Sequence, residues 1–328
     1  MKYAKIDLHL HLDGSINIEW GWKRVLAKGL VPSTCTFEEY YDSLYTRKEG
    51  APRMSIFDIP ISVMQTYEEL YEATYNLIKK LHEKKMVYAE IRFASQQHCL
   101  EGLTQYEVVQ AVVDGQRKAL EDFPDIKTGI INCMMHKGEN AAFNMKENLE
   151  TIEVTKQFLG KGVVALDLAG FENTGPFLDY APLFEKAREY GIPYTIHAGE
   201  MGLGEHVPEA ISMGAYRIGH GINCIQNDAW LQQVIDTQIP LEVCVSSNCG
   251  PLRNYAAHPI RKLIRSGVKV TINTDNMMFS KTDLAYEHSQ LKEIGVTDEE
   301  LKQCMYHAIE VAFCDEMTRE WIRSRVEE

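Results

Sequence analysis

Short β-branched or apolar runs alternate with amphipathic segments along most of the chain, with polar punctuation between them. The runs that read as strands are Tyr3–Leu8, Val87–Phe93, Thr128–Met134, Val163–Leu168, Pro193–Ile196, Tyr216–Gly219, Pro240–Val245 and Lys269–Asn273. Helical periodicity fills the intervals at Thr104–Phe123, Glu147–Leu159, Phe177–Tyr190, Val207–Met213, Asp228–Asp236 and Pro259–Arg265. Thr104 with Glu107, and Thr297 with Glu300, have the spacing of a capping box, in which side chain and backbone satisfy each other at a helix start. Gly191 and Gly267 stand where a left-handed residue would end a helix. Eight strands joined by helical crossovers predict an α/β chain closed into a TIM (β/α)8 barrel. A doubly wound open sheet is the competitor, but no Gly-x-Gly-x-x-Gly follows the first strand.

Two regions break the rhythm. Residues 12–85 exceed one βα unit, so extra helices are expected after strand 1, folded as a lid over the barrel mouth. Met54, Ile56, Phe57, Ile59 and Ile61 would form the apolar underside of that lid, or ordinary core. The segment after Asp283 is helical and charged, which adds extra helices at the C-terminus. The whole of 1–328 thus reads as one domain.

Composition narrows the class of partner. Hydrophobic residues at 45% and charged residues at 25% describe an ordinary globular chain. A net charge of −13 is a poor match for nucleic acid or anionic lipid, so neither is expected as a partner. No apolar stretch approaches the ~20 residues that cross a bilayer, and no charged-then-apolar leader opens the sequence. Eight cysteines lie scattered without a Cys-x-x-Cys pair, which favours free thiols and a cytoplasmic setting. Oligomeric state is not legible.

The reactive residues fall at strand ends. His9 and His11 end the first strand, His197 the fifth, His220 the sixth and Asp275 the eighth. In such a barrel these ends converge on one face. His9 and His11, two apart on a strand, point to the same side and can reach one ion. With His197 and Asp275 they make a set of three imidazoles and one carboxylate suited to Zn²⁺, with Fe²⁺, Co²⁺ or Mn²⁺ as substitutes. A bridging lysine, common at the end of the fourth strand in two-metal barrels, is absent from Asp167-Leu168-Ala169-Gly170. One Zn²⁺ per chain is expected, with a position open for water, whose pKa such an ion lowers towards ~7. Glu200, three residues past His197 and following Gly199, is placed to shuttle a proton, and His220 to orient the attacking hydroxide or stabilise charge developing on it.

At these residues the sequence resembles the adenosine deaminase family. The matching blocks are His9-Leu10-His11-Leu12-Asp13-Gly14, Asp167-Leu168-Ala169-Gly170, His197-Ala198-Gly199-Glu200, Arg217-Ile218-Gly219-His220-Gly221 and Asn273-Thr274-Asp275. The resemblance implies hydrolysis of adenosine or 2′-deoxyadenosine to the inosine product and ammonia, with a small purine nucleoside as substrate. It implies His9, His11, His197 and Asp275 as zinc ligands, and Glu200, His220 and Asp275 as the reacting groups. Glu200 would serve purine N1, Gly170 would offer its N–H to N3, and Asp13 would bind the ribose 5′-hydroxyl. His11 and Asn276 complete the substrate-facing set.

Three departures accompany the match. Asn276-Met277 stands where the family has aspartate-proline, and an asparagine amide can donate to N7 without carrying an extra proton. Ala94-Ser95 replaces serine-proline after the second strand, and an arginine usual after the third is missing near Met135-His136. Free adenine, or a 5′-thio or N6-substituted adenosine, is therefore an alternative substrate. A metal hydrolase of another bond type and a non-catalytic nucleoside-binding protein are the more distant readings.

Overall fold

Strands β1 (Ile6–His11), β2 (Tyr88–Phe93), β3 (Lys127–His136) and β4 (Val163–Gly170) pair in parallel and in sequence order. A second parallel sheet has β5 (Thr195–Ala198), β6 (Arg217–His220), β7 (Leu241–Val243) and β8 (Val270–Ile272), again in order. The computed structural model describes residues 3, 5–46, 53–172 and 175–327.

Two narrow seams join the sheets into a ring. At the first, Leu166 bridges Tyr194 and its N–H donates to the Pro193 carbonyl at 2.9 Å. At the second, Leu10 bridges Asp275; His11 N–H donates to the Asp275 carbonyl at 2.8 Å and Asp275 N–H to the His9 carbonyl at 2.7 Å. The result is the expected (β/α)8 barrel.

Helices follow the strands as the periodicity foretold. α1 (Ile18–Ala27), α2 (Phe37–Tyr45), α3 (Asp58–Ser62) and α4 (Tyr67–Glu83) lie between β1 and β2; the predicted lid also takes in residues 47–52, which lie outside the described residues. α5 (Gln105–Asp122), α6 (Met145–Phe158), α7 (Ala181–Glu189), α8 (His206–Ser212) and α9 (Asp228–Thr237) are the crossovers from β2 to β7. α10 (Val245–Cys249) and α11 (Ile260–Arg265) precede β8, and α12 (Leu284–Glu293), α13 (Asp298–Val311) and α14 (Glu316–Glu327) complete the chain. Capping boxes at Thr104 and Thr297 form, and Gly191 and Gly267 adopt φ of 65° and 85°. Among the described residues no helix is long and apolar enough to cross a membrane.

Several boundaries differ from expectation. The first strand is Ile6–His11 rather than Tyr3–Leu8, because pairing with β2, interrupted by a register shift between Asp7 and Leu10, resumes at Leu10 and His11. The predicted helix Phe177–Tyr190 divides into a 3-10 turn, Phe177–Tyr180, and α7 with Pro182 in its first turn. Strand β8 stops at Ile272, so Asp275 lies three residues beyond the strand and is held by the seam instead.

The space between barrel and helices is apolar, but the barrel interior is ionic. Glu242 accepts from Arg92 Nη2 at 2.8 Å and Arg217 Nε at 2.6 Å, while Arg92 Nη1 reaches Asp167 at 2.8 Å and Arg217 Nη2 reaches Glu90 at 2.5 Å. All five side chains are buried. Charges removed from water must be paired and hydrogen-bonded, which this lattice does across four strands for every charge, with Arg92 Nε left without a hydrogen bond.

Candidate active site

Four imidazoles and one carboxylate meet at the C-terminal mouth. The His9 ring centroid lies 5.3 Å from His11, 4.6 Å from His197 and 4.7 Å from His220. His11 Nε2 is 3.3 Å, and His9 Nε2 3.6 Å, from Asp275 Oδ1. Two overlapping triads have ligand atoms within 4.8 Å of one another: His9, His11 and His197, and His9, His220 and Asp275. His220 thus stands as near the centre as the four residues expected to ligate. His220 and Asp275 adopt φ of 64° and 62°, a costly left-handed backbone for side-chain-bearing residues.

The interior lattice aims two of these rings. His9 Nδ1 lies 2.8 Å from Glu242 Oε2, and His197 Nδ1 lies 2.9 Å from Asp167 Oδ2. A carboxylate on Nδ1 holds the proton there and leaves Nε2 with a bare lone pair, as a metal requires. His9 Nε2 is buried and has no hydrogen-bond partner. Burial drives His11 and His220 well below the usual histidine range, so both rings are neutral. Burial would raise Asp275, but the adjacent His9, His11 and His220 imidazoles hold it well below the ordinary carboxylate range. Imidazole nitrogens gathered at one point, an ionised carboxylate and an orphaned buried nitrogen fit a divalent cation of borderline hardness.

Glu200 follows β5 on a loop, with its Oε2 3.8 Å from His220 Nε2. That loop is gripped by Glu172, a residue that no sequence motif singles out. Its carboxylate accepts the backbone N–H of Gly199 at 2.5 Å, Glu200 at 3.0 Å and Met201 at 2.9 Å. His206 Nδ1, at the start of α8, holds the same carboxylate at 2.9 Å, and Phe177 stacks on the His206 ring at 4.3 Å. Asn248 is a second residue outside the sequence motifs: its Nδ2 lies 3.1 Å from His220 Nδ1. Ser247 Oγ donates to Asp275 Oδ2 at 2.5 Å. The signal that could have found them is position, since the loop of Glu172 and the short helix of Asn248 both follow the C-terminal ends of strands.

The remaining candidates line the same mouth. Asp13 is buried in a 3-10 turn just past β1, where burial raises its carboxyl to about 6. Gly170 ends β4 at φ 109°, and a Cβ there would sit 2.7 Å from the His136 carbonyl, so only glycine fits. Asn276 Nδ2 donates to Asp275 Oδ1 at 2.6 Å, and its Oδ1 is buried without a partner. That oxygen lies over Gly14, where a Cβ would be only 1.7 Å away. Met54, Ile56, Phe57 and Ile61 are half-buried rather than core, and Ile59 likewise packs against the core from its edge. Phe57 meets Phe279 edge-on at 4.9 Å, and α3 packs on the Asp13–Ser15 turn.

The family model described as adenosine deaminase matches residues 4–328. An adenosine deaminase of Haemophilus ducreyi is 39% identical over 321 residues, spanning 95% of this chain and 92% of that protein. Among solved structures, an adenine deaminase from Arthrobacter aurescens has a TM-score of 0.86 at 22% identity, with 98% of each chain covered. An amidohydrolase from Burkholderia ambifaria with bound zinc gives 0.86 at 21% identity, covering 99% of this chain and 90% of that one. These two structural likenesses speak to the fold.

Proposed function

The chain belongs to the adenosine deaminase family, and from that premise we propose that it hydrolyses adenosine and 2′-deoxyadenosine to inosine and 2′-deoxyinosine plus ammonia. It is a hydrolase acting on the C–N bond of a cyclic amidine. The observation that carries the reading is the convergence of His9, His11, His197 and Asp275 with Glu200 and His220 at one mouth.

In this reading those four ligands hold one Zn²⁺ per chain. When bound, the ion supplies Lewis-acid chemistry and makes hydroxide available near neutral pH. Protonated Glu200 donates to purine N1, which draws electron density from C6. Water contributes its oxygen to C6; one of its protons ends on N1 and the other on the amino group, which leaves as ammonia. Glu200 carries protons between these atoms, and His220 orients the attacking oxygen. The Gly170 N–H faces N3, Asp13 takes the ribose 5′-hydroxyl, and Asn276 faces N7 beside His11. Within residues 12–85 a helical insertion serves as the cover of a single barrel domain, with Phe57 and its apolar neighbours among the described residues excluding water. A cytoplasmic setting belongs to the same reading, supported by eight cysteines that remain free thiols.

One observation favours a second substrate. Asn276 spends an N–H on Asp275 and buries an unpartnered oxygen, an arrangement an aspartate would not reproduce. That admits free adenine, or a 5′-thio or N6-substituted adenosine. The test is zinc-loaded protein assayed on adenosine, adenine, 5′-methylthioadenosine and N6-methyladenosine, with metal content measured. Adenosine should show the highest kcat/KM at one zinc per chain. An unchanged adenosine absorbance across a broad pH range sinks the reading.

A further inference from the structure

We propose that a hydrogen-bond relay from the Ile260 backbone through His258 and Asn248 fixes His220 as the tautomer protonated on Nε2. This makes Asn248 and His258 positioning residues; the proposal rests on the deaminase reading above for its catalytic consequence.

The relay is anchored by a group whose role is not open to choice. Ile260 N–H can only donate, and it donates to His258 Nδ1 at 3.1 Å. A ring nitrogen that accepts carries no proton. Burial lowers His258 to about 4, so the neutral ring carries its single proton on Nε2. That nitrogen lies 3.3 Å from Asn248 Oδ1 and donates to it. The amide is thereby oriented, because a flipped Asn248 would set N–H against N–H. Its Nδ2 then donates to His220 Nδ1 at 3.1 Å. His220 Nδ1 accepts, so its proton sits on Nε2, the nitrogen that faces Glu200 at 3.8 Å.

The consequence is a direction for proton flow. A neutral His220 with Nε2–H donates to the attacking oxygen or to Glu200, and has no lone pair there to take a proton from water. The O–H bond of water therefore breaks towards the Glu200 carboxylate, which passes the proton to the purine, and His220 keeps its own proton throughout. His9 and His197 have the opposite arrangement, with carboxylates on Nδ1 and bare Nε2. Their partners sort the histidines of this mouth: a carboxylate behind a ligand, an amide donor behind the residue that orients.

Zinc-loaded protein with ring-¹⁵N histidine, examined by long-range ¹H–¹⁵N correlation, tests this directly. A His220→Gln sample assigns the resonance. The expected wild-type spectrum has the proton on Nε2 and a bare Nδ1; a proton on Nδ1 overturns the proposal. In Asn248→Asp a carboxylate can only accept, so the proton moves to Nδ1. A lost donor at developing charge predicts a kcat fall of about 100-fold, with KM within about threefold. Unchanged kcat in a zinc-loaded Asn248→Asp protein also overturns the proposal. Should that variant not fold, the wild-type spectrum decides alone. Failure of every substrate in the panel would remove the deaminase reading while leaving the tautomer to be read from the same spectrum.

Discussion

At the scale of single residues, Asn276 sets the sharpest expectation. Its amide nitrogen has two N–H groups, one given to Asp275 and one left for the substrate. An aspartate in its place would donate only while protonated. In Asn276→Asp, raising the pH through the new carboxyl's pKa removes that donor, so kcat/KM should gain an alkaline-side decline that the wild type lacks. Superimposable pH profiles of the two proteins would show that Asn276 does not donate to substrate. The same scale explains which parts of the site the amino-acid sequence makes legible. His9, His11, His197 and His220 are legible because they stand on strands, where position fixes direction. Glu172 and Asn248 are not, because one lies on a loop and the other in a five-residue helix, and neither belongs to a periodic pattern. Their importance comes from partners 27 to 34 and 28 positions away, Gly199 to His206 for Glu172 and His220 for Asn248.

At the scale of elements, the loop after β5 is the one whose conformation catalysis depends on. Three successive backbone N–H groups on one carboxylate leave Glu200 little freedom. Glutamine at position 172 keeps the shape but turns an amide N–H₂ towards N–H donors. A misplacement of about 1 Å can cost about 100-fold in rate, so Glu172→Gln should lose about 10- to 100-fold in kcat. An unmatched buried donor adds about 1–3 kcal/mol of destabilisation, measurable as a lower Tm. Burial pushes the Glu172 carboxyl up, but His206 and the backbone N–H groups prevail and hold it below its ordinary 4.5. A depressed carboxylate contributes its stability above pH 4.5 and loses it as pH falls through the lower folded value. The Tm gap between wild type and Glu172→Gln should therefore be full at neutral pH and close in acid. A gap that widens on acidification would contradict the clamp. Element boundaries teach a related lesson. Periodicity places eight strands correctly, yet it ends the first too early, because His9 and His11 look polar although the strand runs on to His11, whose backbone pairs with Arg92. It also carries the eighth one residue too far: Asn273 still donates its N–H to the Val243 carbonyl at 2.9 Å, but its side chain turns across the barrel to accept Leu8 N–H at 2.9 Å, and the ladder ends at Ile272.

At the scale of the whole molecule, the barrel is two four-stranded sheets whose seams carry few backbone bonds. What ties the halves together is largely side-chain chemistry. Arg92 on β2 reaches Glu242 on β7, and Glu90 on β2 reaches Arg217 on β6. The proposed ligands continue this at the mouth, since His9 and His11 belong to the first sheet whereas His197 belongs to the second and Asp275 follows its last strand. An ion there would bind the closed ring and not the unfolded chain, so its affinity becomes stability. At free metal 100 to 1,000 times its Kd the gain is about 2.7–4.1 kcal/mol. For a domain somewhat larger than 250 residues, with about 2 °C or slightly less per kcal/mol, that is a Tm difference of about 5–8 °C. Chelation should lower Tm by this amount, and one equivalent of Zn²⁺ should restore both Tm and activity. The unfolding of the apo protein should also begin at the seams, with faster amide exchange at His11 and Asp275 than at the centre of β3. Equal Tm values with and without metal, or exchange at the seams unmoved by chelation, would mean that the ionic lattice alone closes the barrel.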